Sequence, residues 1–523
     1  MAMAQLSFAQ DAAQCRSAFL QTQALHLVEG LRDDLYYACV LLTSHDPDHR
    51  QRANALLESA AFAPCPYSGL PAVQLLLEHR ADLSPLAQER LMTFLRQGQT
   101  GWLAELEKGK WNSFALLAAV SVLGYGVISG DTAGCSQARQ ALTALEGRMG
   151  EGRLPDEFLS PFYTALQLAA LAELQCLPLD DTCRKAAQHL EEFTWHGVLQ
   201  HCQPGFMALT GVYSRGYTSE LCGHFQAVMA CVRRLLDDAC WFTLWDTLWN
   251  TRYTQAIVPH GTLDGMRLYA LYFSAFPYHC APQDLADWHS CQLPRQIVQQ
   301  AHTDPAWDIS CKKDVAAGLH WDYPAGEVTM VTRQEAGFSL SWVDREYENG
   351  MACPALRALY CKGGDTKALF TKLVRDTSRY IGEENDYPNL GLRLNASNFP
   401  DDGRKSVAET PEGLVLTYRP RGFCSGADAM KLDLLFTEHF SPVDRILVNG
   451  CQVKSLEGCS TYALGPVAVE DGDRSFTFTP RGENGFWQIT RRNHFLNLEW
   501  VQPWTGPDGP VWTLLIQCGR RTR

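Results

Sequence analysis

The side chains best suited to proton transfer and carboxylate binding are concentrated in one segment, residues 195–220. Gly205, Gly211 and Gly216 disfavour a helix there, so the pattern predicts a loop that presents polar rings between two helical stretches. A functional loop and an ordinary inter-helix loop both fit this pattern. The candidate side chains of the segment are His196, His201, Tyr213, Arg215, Tyr217 and Glu220.

A second candidate is Asn112, which precedes the nearly apolar run 114–128. Asn is a preferred residue at the first position of a helix, so we predict that Asn112 caps a helix formed by this run. Its amide could also bind a carboxylate in a cleft, and the two roles do not conflict. Trp111, beside it, is a candidate ring for substrate binding.

A third group is aromatic. Trp241, Trp245 and Trp249 recur every four residues and therefore lie near one face of a helix. Core packing explains at least one of them, whereas rings that line a cleft can stack on sugar faces. We predict that substrate binding involves Trp249 together with Arg252 and His260, which follow it.

The elements that carry these residues change character along the chain. Up to about residue 290, apolar residues recur every three or four positions between short breakers, which predicts a domain of helical hairpins. After residue 315, alternation as in Phe338–Trp342 and the turn Asn449-Gly450 predict antiparallel strands. We therefore predict a helical domain over 1–290, a connector over 291–314 and an antiparallel β-sandwich domain over 315–523.

Composition excludes several classes of protein. With 58 acidic residues against 45 Lys and Arg, the net charge is −13, which disfavours binding to nucleic acid. The run 114–128 is too short to span a bilayer, so we expect no membrane partner. The 19 cysteines include no Cys-x-x-Cys pair, and the first residues lack a basic region, so we expect free thiols and a cytoplasmic location. Zincin, phosphate-loop, dinucleotide-binding and nucleophile-elbow motifs are absent from the sequence.

Helical hairpins followed by a β-sandwich, with Asn, His, Tyr and Arg in the helical half, resemble a known group. This is the polysaccharide lyases with an (α/α) toroid plus antiparallel β-sandwich, which contains chondroitin, hyaluronate, heparin and alginate lyases. The stretch from Gly197 to His201, followed by Gly211-Val-Tyr213, is similar to the stretch in which such lyases place a His and then a Tyr. Asn112 would match the Asn that lies earlier in the toroid.

The resemblance implies β-elimination on an oligo- or polysaccharide that contains uronic acid. Asn112 and His201 would neutralise the carboxylate, with Arg215 adding positive charge. Tyr213 would be the acid and base, and Tyr217 competes for that role. Glu220 would orient Arg215, and His196 would contribute to substrate binding. This scheme requires no metal or other cofactor, although some relatives carry a structural metal ion.

Two alternatives remain open at the level of sequence. An (α/α)-barrel glycoside hydrolase needs two carboxylates beside the scissile bond, for which Glu220 and Asp264 are the available candidates. A non-catalytic carbohydrate-binding or scaffold protein needs neither. His439 and His494, in the predicted β domain, could extend over the cleft or satisfy local strand or turn groups.

Overall fold

Thirteen α-helices and eighteen β-strands lie in the part of the chain that the computed structural model describes. These residues are 7–22, 24–28, 30–63, 65–212, 224–249, 262–303, 306–308, 321–323, 326–346, 354–376, 403–420, 429–438, 441–456, 459–492, 495–505 and 509–521. They form two compact units. The first contains the helices, and the second contains the strands together with residues 200–212.

In its described residues, the first unit contains helices and no β-strand. Its helices are α1 (Phe8–Leu20), α2 (Leu31–Leu42), α3 (Pro47–Ser59), α4 (Gly69–Glu78), α5 (Pro85–Glu107), α6 (Ser113–Ser129), α7 (Cys135–Gly150), α8 (Tyr163–Cys176), α9 (Asp181–His201), α10 (His224–Leu236), α11 (Leu244–Trp249), α12 (Leu263–Phe273) and α13 (Pro282–Ser290). The last two residues of α9 belong to the second unit.

Six of these helices form a closed inner ring. Helices α2, α4, α6, α8, α10 and α12 each contact the next, and α12 returns to contact α2. Helices α3, α5 and α7 pack outside this ring against α2, α6 and each other. Nearly every residue of α6 and α8 is buried, as expected of helices that are apolar all round. The predicted (α/α) toroid is confirmed.

The inner helices run in one direction, because an outer helix returns the chain between successive inner helices. Contacts at their starts agree with this direction. The guanidinium of Arg32, near the start of α2, lies 4.9 Å from the ring centre of Tyr67, which precedes α4. Tyr67 in turn packs 5.1 Å from Phe114, near the start of α6. We call the end of the ring formed by the amino termini of α2, α4, α6, α8, α10 and α12 the amino-terminal mouth.

The second unit is an antiparallel β-sandwich. Its strands are β1 (Arg295–Thr303), β2 (Ala306–Asp308), β3 (Trp321–Tyr323), β4 (Gly326–Glu335), β5 (Phe338–Val343), β6 (Leu356–Lys362), β7 (Asp365–Asp376), β8 (Gly403–Thr410), β9 (Gly413–Pro420), β10 (Ala429–Thr437), β11 (Arg445–Val448), β12 (Cys451–Gln452), β13 (Cys459–Ala463), β14 (Val467–Asp471), β15 (Arg474–Pro480), β16 (Phe486–Arg492), β17 (Phe495–Pro503) and β18 (Trp512–Arg520).

Two large sheets enclose one core. The nine-stranded sheet has the order β1-β4-β5-β6-β7-β10-β17-β16-β13, and the seven-stranded sheet has the order β12-β11-β14-β15-β18-β9-β8. Strands β2 and β3 pair separately. Alternate residues of both sheets meet in the core, for example Leu434 and Phe436 from β10 with Phe476 from β15. Each described strand pairing is antiparallel, which confirms the predicted β-sandwich.

The domain boundaries differ from the predicted ones in two places. Residues 200–212 lie within the predicted helical range but cluster with the second unit. The predicted connector 291–314 contains strand β1, in which Ile297 and Ala301 are buried while Gln296, Val298 and Gln300 are exposed. This period of two is the strand pattern, and it begins about twenty residues before the position that we predict from the sequence.

The structure also bears on the membrane and thiol predictions. Within the described residues, no helix has the length and apolar character needed to cross a bilayer. The 15 cysteines in this part of the chain are free thiols, and most of those in the helical unit are buried. Nearly complete thiol titration of the unfolded, unreduced protein remains the expected result.

Candidate functional site

Asn112 lies at the amino-terminal mouth, at the start of the inner helix α6. Its side-chain oxygen accepts a hydrogen bond from the Ala115 backbone N–H at 3.0 Å, so the predicted capping role is confirmed. The residue is 8% exposed. Its amide nitrogen donates to no other described residue, and this leaves an N–H donor at a helix end where positive charge accumulates.

A buried carboxylate that the sequence analysis missed supports the same helix start. Glu157 is 1% exposed, and its Oε2 accepts the Ser113 backbone N–H at 2.7 Å and the Gln167 side-chain amide at 3.4 Å. Negative charge at a helix amino terminus is favourable. Because Glu157 lies far from α6 in sequence, no local pattern indicates this contact.

Trp111 has a different environment from the one predicted for it. The side chain is 2% exposed, and its ring packs 5.5 Å from that of Phe193. Its backbone carbonyl accepts the Asp156 N–H at 2.7 Å. The structure therefore places Trp111 in the core of the helical unit instead of on a surface where a sugar could stack.

Arg32 is a second residue at the mouth that the sequence analysis missed. It is half-buried, and its guanidinium lies between the rings of Tyr67 and Tyr269, at 4.9 and 5.1 Å from their centres. Its Nε donates to the Tyr269 hydroxyl at 2.9 Å. That hydroxyl donates to Asp33, which is buried and also accepts the Val28 N–H at 3.0 Å. The only sequence signal was an Arg at the start of an apolar helix.

The predicted aromatic face divides into two stacked pairs. The rings of Trp245 and Trp249 stack at 5.2 Å with an interplanar angle of 15°, and Trp245 is 36% exposed. Trp241 instead stacks on Trp288 at 6.1 Å. The guanidinium of Arg267 lies 5.1 Å from the ring centre of Trp249. Trp245 and Trp249 thus form a partly exposed flat surface of the kind on which a sugar ring stacks.

The carboxylate of Asp11 fixes the helix that carries this tryptophan pair. Asp11 is fully buried, and it accepts the backbone N–H groups of Leu244 at 2.6 Å and Trp245 at 3.2 Å. Arg233 balances its charge through an Nε contact of 3.1 Å. Helix α11 therefore begins at a buried, charge-balanced cap.

Asp264, a candidate carboxylate for the hydrolase alternative, is already engaged. It pairs with Arg267 at 3.2 Å and accepts the His26 backbone N–H at 3.0 Å. Its two carboxylate oxygens are thus held by groups of the helical unit, one by Arg267 and the other by the His26 N–H. The geometry therefore gives the hydrolase alternative no support at this position.

The two candidate histidines of helix α9 lie in different surroundings. His196 pairs with Asp284 of α13, with 2.7 Å between its Nδ1 and the carboxylate, and its side chain is 49% exposed. His201 is 1% exposed and belongs to the second unit. Its Nε2 lies 3.0 Å from Gln299 Oε1, and its Nδ1 lies 3.3 Å from the Thr210 hydroxyl.

Burial has a clear electrostatic effect on His201. Loss of solvent, followed by the nearby positive charges of Arg295 and Arg357, lowers its pKa to about 4. His201 is therefore neutral at pH 7 and engaged at both ring nitrogens. A catalytic role for it stays a prediction, and this geometry favours an anchoring role at the end of α9.

The remaining sequence candidates lie outside the described residues. These are Tyr213, Arg215, Tyr217, Glu220, Arg252 and His260, together with His439 and His494. Their predicted roles therefore stay predictions. Among the residues that the structure does describe, no three His, Cys, Asp or Glu side chains are grouped so that they could hold a metal ion.

Comparisons with known proteins identify similar folds only. No protein-family profile and no curated protein matches the chain. Among solved structures, a chondroitin AC lyase of Streptomyces coelicolor A3 in complex with chondroitin sulphate matches 99% of this chain and 79% of its own, at 11% identity and a TM-score of 0.44. Heparinase III matches over 99% of this chain and 78% of its own, at 8% identity and a TM-score of 0.39. The heparan sulfate lyase HepC of Pedobacter heparinus matches over 99% of this chain and 77% of its own, at 11% identity and a TM-score of 0.31.

The names of these structures agree with the resemblance to polysaccharide lyases that the sequence indicates. At TM-scores below 0.5, the likeness carries no argument about what this chain binds or does.

Proposed function

We propose that the protein is a carbohydrate-active lyase that cleaves uronic-acid-containing oligo- or polysaccharides by β-elimination. We also propose that it acts on such substrates in the cytoplasm, since its many scattered cysteines suit a reducing compartment. The observation that carries the proposal is the amino-terminal mouth, where Asn112 caps an inner helix and keeps an amide N–H donor.

The mouth suits an anionic substrate for a physical reason. Each helix amino terminus carries roughly half a positive charge, and the inner helices direct these ends toward the same side of the toroid. The Trp245–Trp249 pair adds a flat apolar surface in the same unit. Together these features favour a ligand that is both anionic and built of sugar rings.

The proposed reaction begins with the uronate carboxylate. Hydrogen bonds from Asn112 withdraw its charge, which makes the C5 proton more acidic. A base removes that proton, the C4–O4 bond breaks, and an acid protonates the departing O4. The product then carries a C4–C5 double bond. Tyr213 serves as base and acid in this proposal, on the strength of the sequence pattern.

Ultraviolet absorbance tests the function directly. Purified protein is incubated with uronate-containing oligosaccharides, and the expected result is a rising absorbance from the new C4–C5 double bond. Cleavage without that absorbance would mean hydrolysis. Binding without cleavage would mean a non-catalytic carbohydrate-binding protein.

Tyr213→Phe tests the assignment of the acid and base. The substitution removes only the hydroxyl, so proton transfer should fail while folding survives. Turnover should fall by about 10²–10⁴-fold, since general acid–base groups contribute that much. Tyr217→Phe is the matched control and should cost much less. Full activity in Tyr213→Phe would transfer the role to Tyr217 or His260.

A further inference from the structure

We propose that a cavity between outer helices of the helical unit binds a small alkyl carboxylate. The cavity has a volume of about 500 Å³, which lies within the usual range of small-molecule sites. It is formed where α7 packs against the end of α5 and the start of α6. The inference does not rest on the proposed function, because its ligand is neither a sugar nor a uronate.

The floor of the cavity is apolar, and its rim is exposed. Leu106 of α5, Ala115 of α6 and Leu145 of α7 line the cavity, and each is at most 5% exposed. Lys110 and Gln140 also line it, and both are exposed. The cavity therefore opens to solvent at its rim and ends on aliphatic side chains.

Small side chains leave this space open. Gly109, Ala115, Ala141 and Ala144 line the cavity, and none of them carries more than a methyl group. Ala141 and Ala144 are three residues apart on α7 and therefore share one face of that helix. Because Ala144 is exposed, a larger side chain there would occupy the cavity without displacing a core residue.

Lys110 supplies a positive charge at the rim. It makes no ion pair and no side-chain hydrogen bond with any residue that the structure describes. The acidic lining residue Glu107 instead accepts the Gln137 side-chain amide at 3.2 Å. A second cation lies close by, because Arg148 Nη2 is 3.8 Å from the position that a Cβ atom on Gly109 would occupy. The rim therefore favours an anion.

An alkyl chain with one carboxylate fits these features. All the lining residues lie in the described part of the chain and none is aromatic, so the cavity offers no ring on which a sugar could stack. Its aliphatic floor favours hydrocarbon, since burial of one CH₂ group strengthens binding roughly fourfold. The Lys110 ammonium is a compact positive charge that a single carboxylate can neutralise.

Titration calorimetry with octanoate tests the site. Ala144→Leu should fill the cavity and weaken octanoate binding at least tenfold. The matched control is Ala104→Leu, which makes the same change at an exposed position of α5 that does not line the cavity. Leucine is nearly as good a helix former as alanine, so both variants should keep the unfolding midpoint of the unaltered protein. The control should bind octanoate as the unaltered protein does.

A second pair of variants tests the charge. Lys110→Gln should weaken octanoate binding roughly two- to fivefold, as expected for an ion pair at an exposed rim. It should leave the binding of octan-1-ol, which has no charge, unchanged. Lys185→Gln is the matched control, because Lys185 is exposed on α9 and does not line the cavity.

Shorter and more polar carboxylates decide the class of ligand. Butanoate should bind more than tenfold more weakly than octanoate, because it buries four fewer CH₂ groups. Glucuronate, which has a carboxylate but no alkyl chain, should not displace octanoate. Displacement by glucuronate would overturn the proposal and assign the cavity to uronates. Absence of octanoate binding at millimolar concentration, or equal binding by the unaltered protein and a folded Ala144→Leu variant, would overturn it as well.

Discussion

The oxygen and the nitrogen of the Asn112 side-chain amide have different roles. The oxygen caps helix α6 by accepting the Ala115 N–H, and the nitrogen is the group assigned to the substrate. Asn112→Asp keeps an oxygen for the cap and replaces the donor with a negative charge. We expect the unfolding midpoint to stay close to that of the unaltered protein, because Asp and Asn cap equally well. Elimination activity, followed by ultraviolet absorbance, should fall by at least tenfold.

Asn112→Ala is the contrasting variant. It removes both groups, so it should lose activity and about 1 kcal/mol of unfolding free energy as well. Denaturant unfolding of both variants separates the two roles. If Asn112→Asp were fully active, the amide nitrogen would have no part in the reaction.

His201 leads to a prediction about acid stability. Its pKa is about 4 in the folded protein, below its ordinary value of 6.5, because burial disfavours the charged ring. The unfolded chain therefore takes up a proton first as the pH falls. The contribution of neutral His201 is complete above pH 6.5 and is lost between about pH 6.5 and 4, by roughly 3 kcal/mol.

The comparison of His201→Gln with His302→Gln measures this effect. His302 is exposed on β1, and its replacement is the control for the loss of an imidazole that is not buried. Urea unfolding at pH 7.5 and pH 4.5 should show a smaller loss of stability in His201→Gln than in the unaltered protein. Identical pH dependence in all three proteins would contradict the buried, neutral state of His201.

Sequence reasoning at this scale succeeds where the cause is local. The cap at Asn112 follows from three neighbouring residues, and the structure confirms it. The burial of Trp111 depends on Phe193, and the orientation of Arg32 depends on Tyr269. These partners are dozens to hundreds of residues away, and residue spacing contains no information about them.

At the scale of elements, the two ends of the inner ring have different chemistry. Near the carboxyl ends of the inner helices, Glu173 of α8 is 2% exposed, and Glu78 ends α4. Burial first, and then repulsion from Glu78, raise the pKa of Glu173 to about 8. Burial also raises the pKa of Glu78, which accepts a hydrogen bond from Gln74 at 3.4 Å.

Glu173→Gln should therefore stabilise the helical unit at alkaline pH. The folded carboxyl holds its proton up to about pH 8, whereas the unfolded one loses it near 4.5. The contribution of the protonated Glu173 carboxyl to the free energy of unfolding is complete below pH 4.5. It is lost as the pH rises to 8, and the loss is on the order of a few kcal/mol. Glutamine mimics the protonated acid and removes this loss. Thermal unfolding at pH 5 and pH 8.5 should show the difference, and a lower midpoint for the variant at pH 8.5 would contradict it.

The elements themselves were largely predictable. Helices in the first part and strands in the last follow from apolar periodicity, and the Asn449-Gly450 turn joins β11 to β12 as its dipeptide indicates. The placement of residues 200–212 was not predictable. This segment packs on the nine-stranded sheet through Arg357, whose Nη1 donates to the Leu209 carbonyl at 2.6 Å, and through Gln334, whose amide donates to Thr210 at 2.7 Å.

At the scale of the whole molecule, the chain enters the second unit before it finishes the first. Residues 200–212 belong to the β-sandwich, and the chain then returns to form α10 and α12 of the toroid. The Gly211 backbone N–H donates to the Ser341 hydroxyl at 3.0 Å, and Arg357 is 1% exposed. A division of the sequence near residue 290 therefore does not separate the two structural units.

A fragment that comprises residues 291–523 should consequently be unstable by itself. The fragment lacks the Leu209 carbonyl that Arg357 contacts and the Thr210 hydroxyl that Gln334 contacts. Each buried polar group that loses its partner costs about 1–3 kcal/mol of unfolding free energy. We expect the isolated fragment to bind a hydrophobic dye and to unfold without a sharp transition. Co-expression with fragment 1–290, which supplies residues 200–212, should restore cooperative unfolding. Co-expression with fragment 1–199 is the matched control and should not. A fragment 291–523 that unfolds sharply by itself, at the midpoint of the full chain, would show that the segment contributes little to the sandwich.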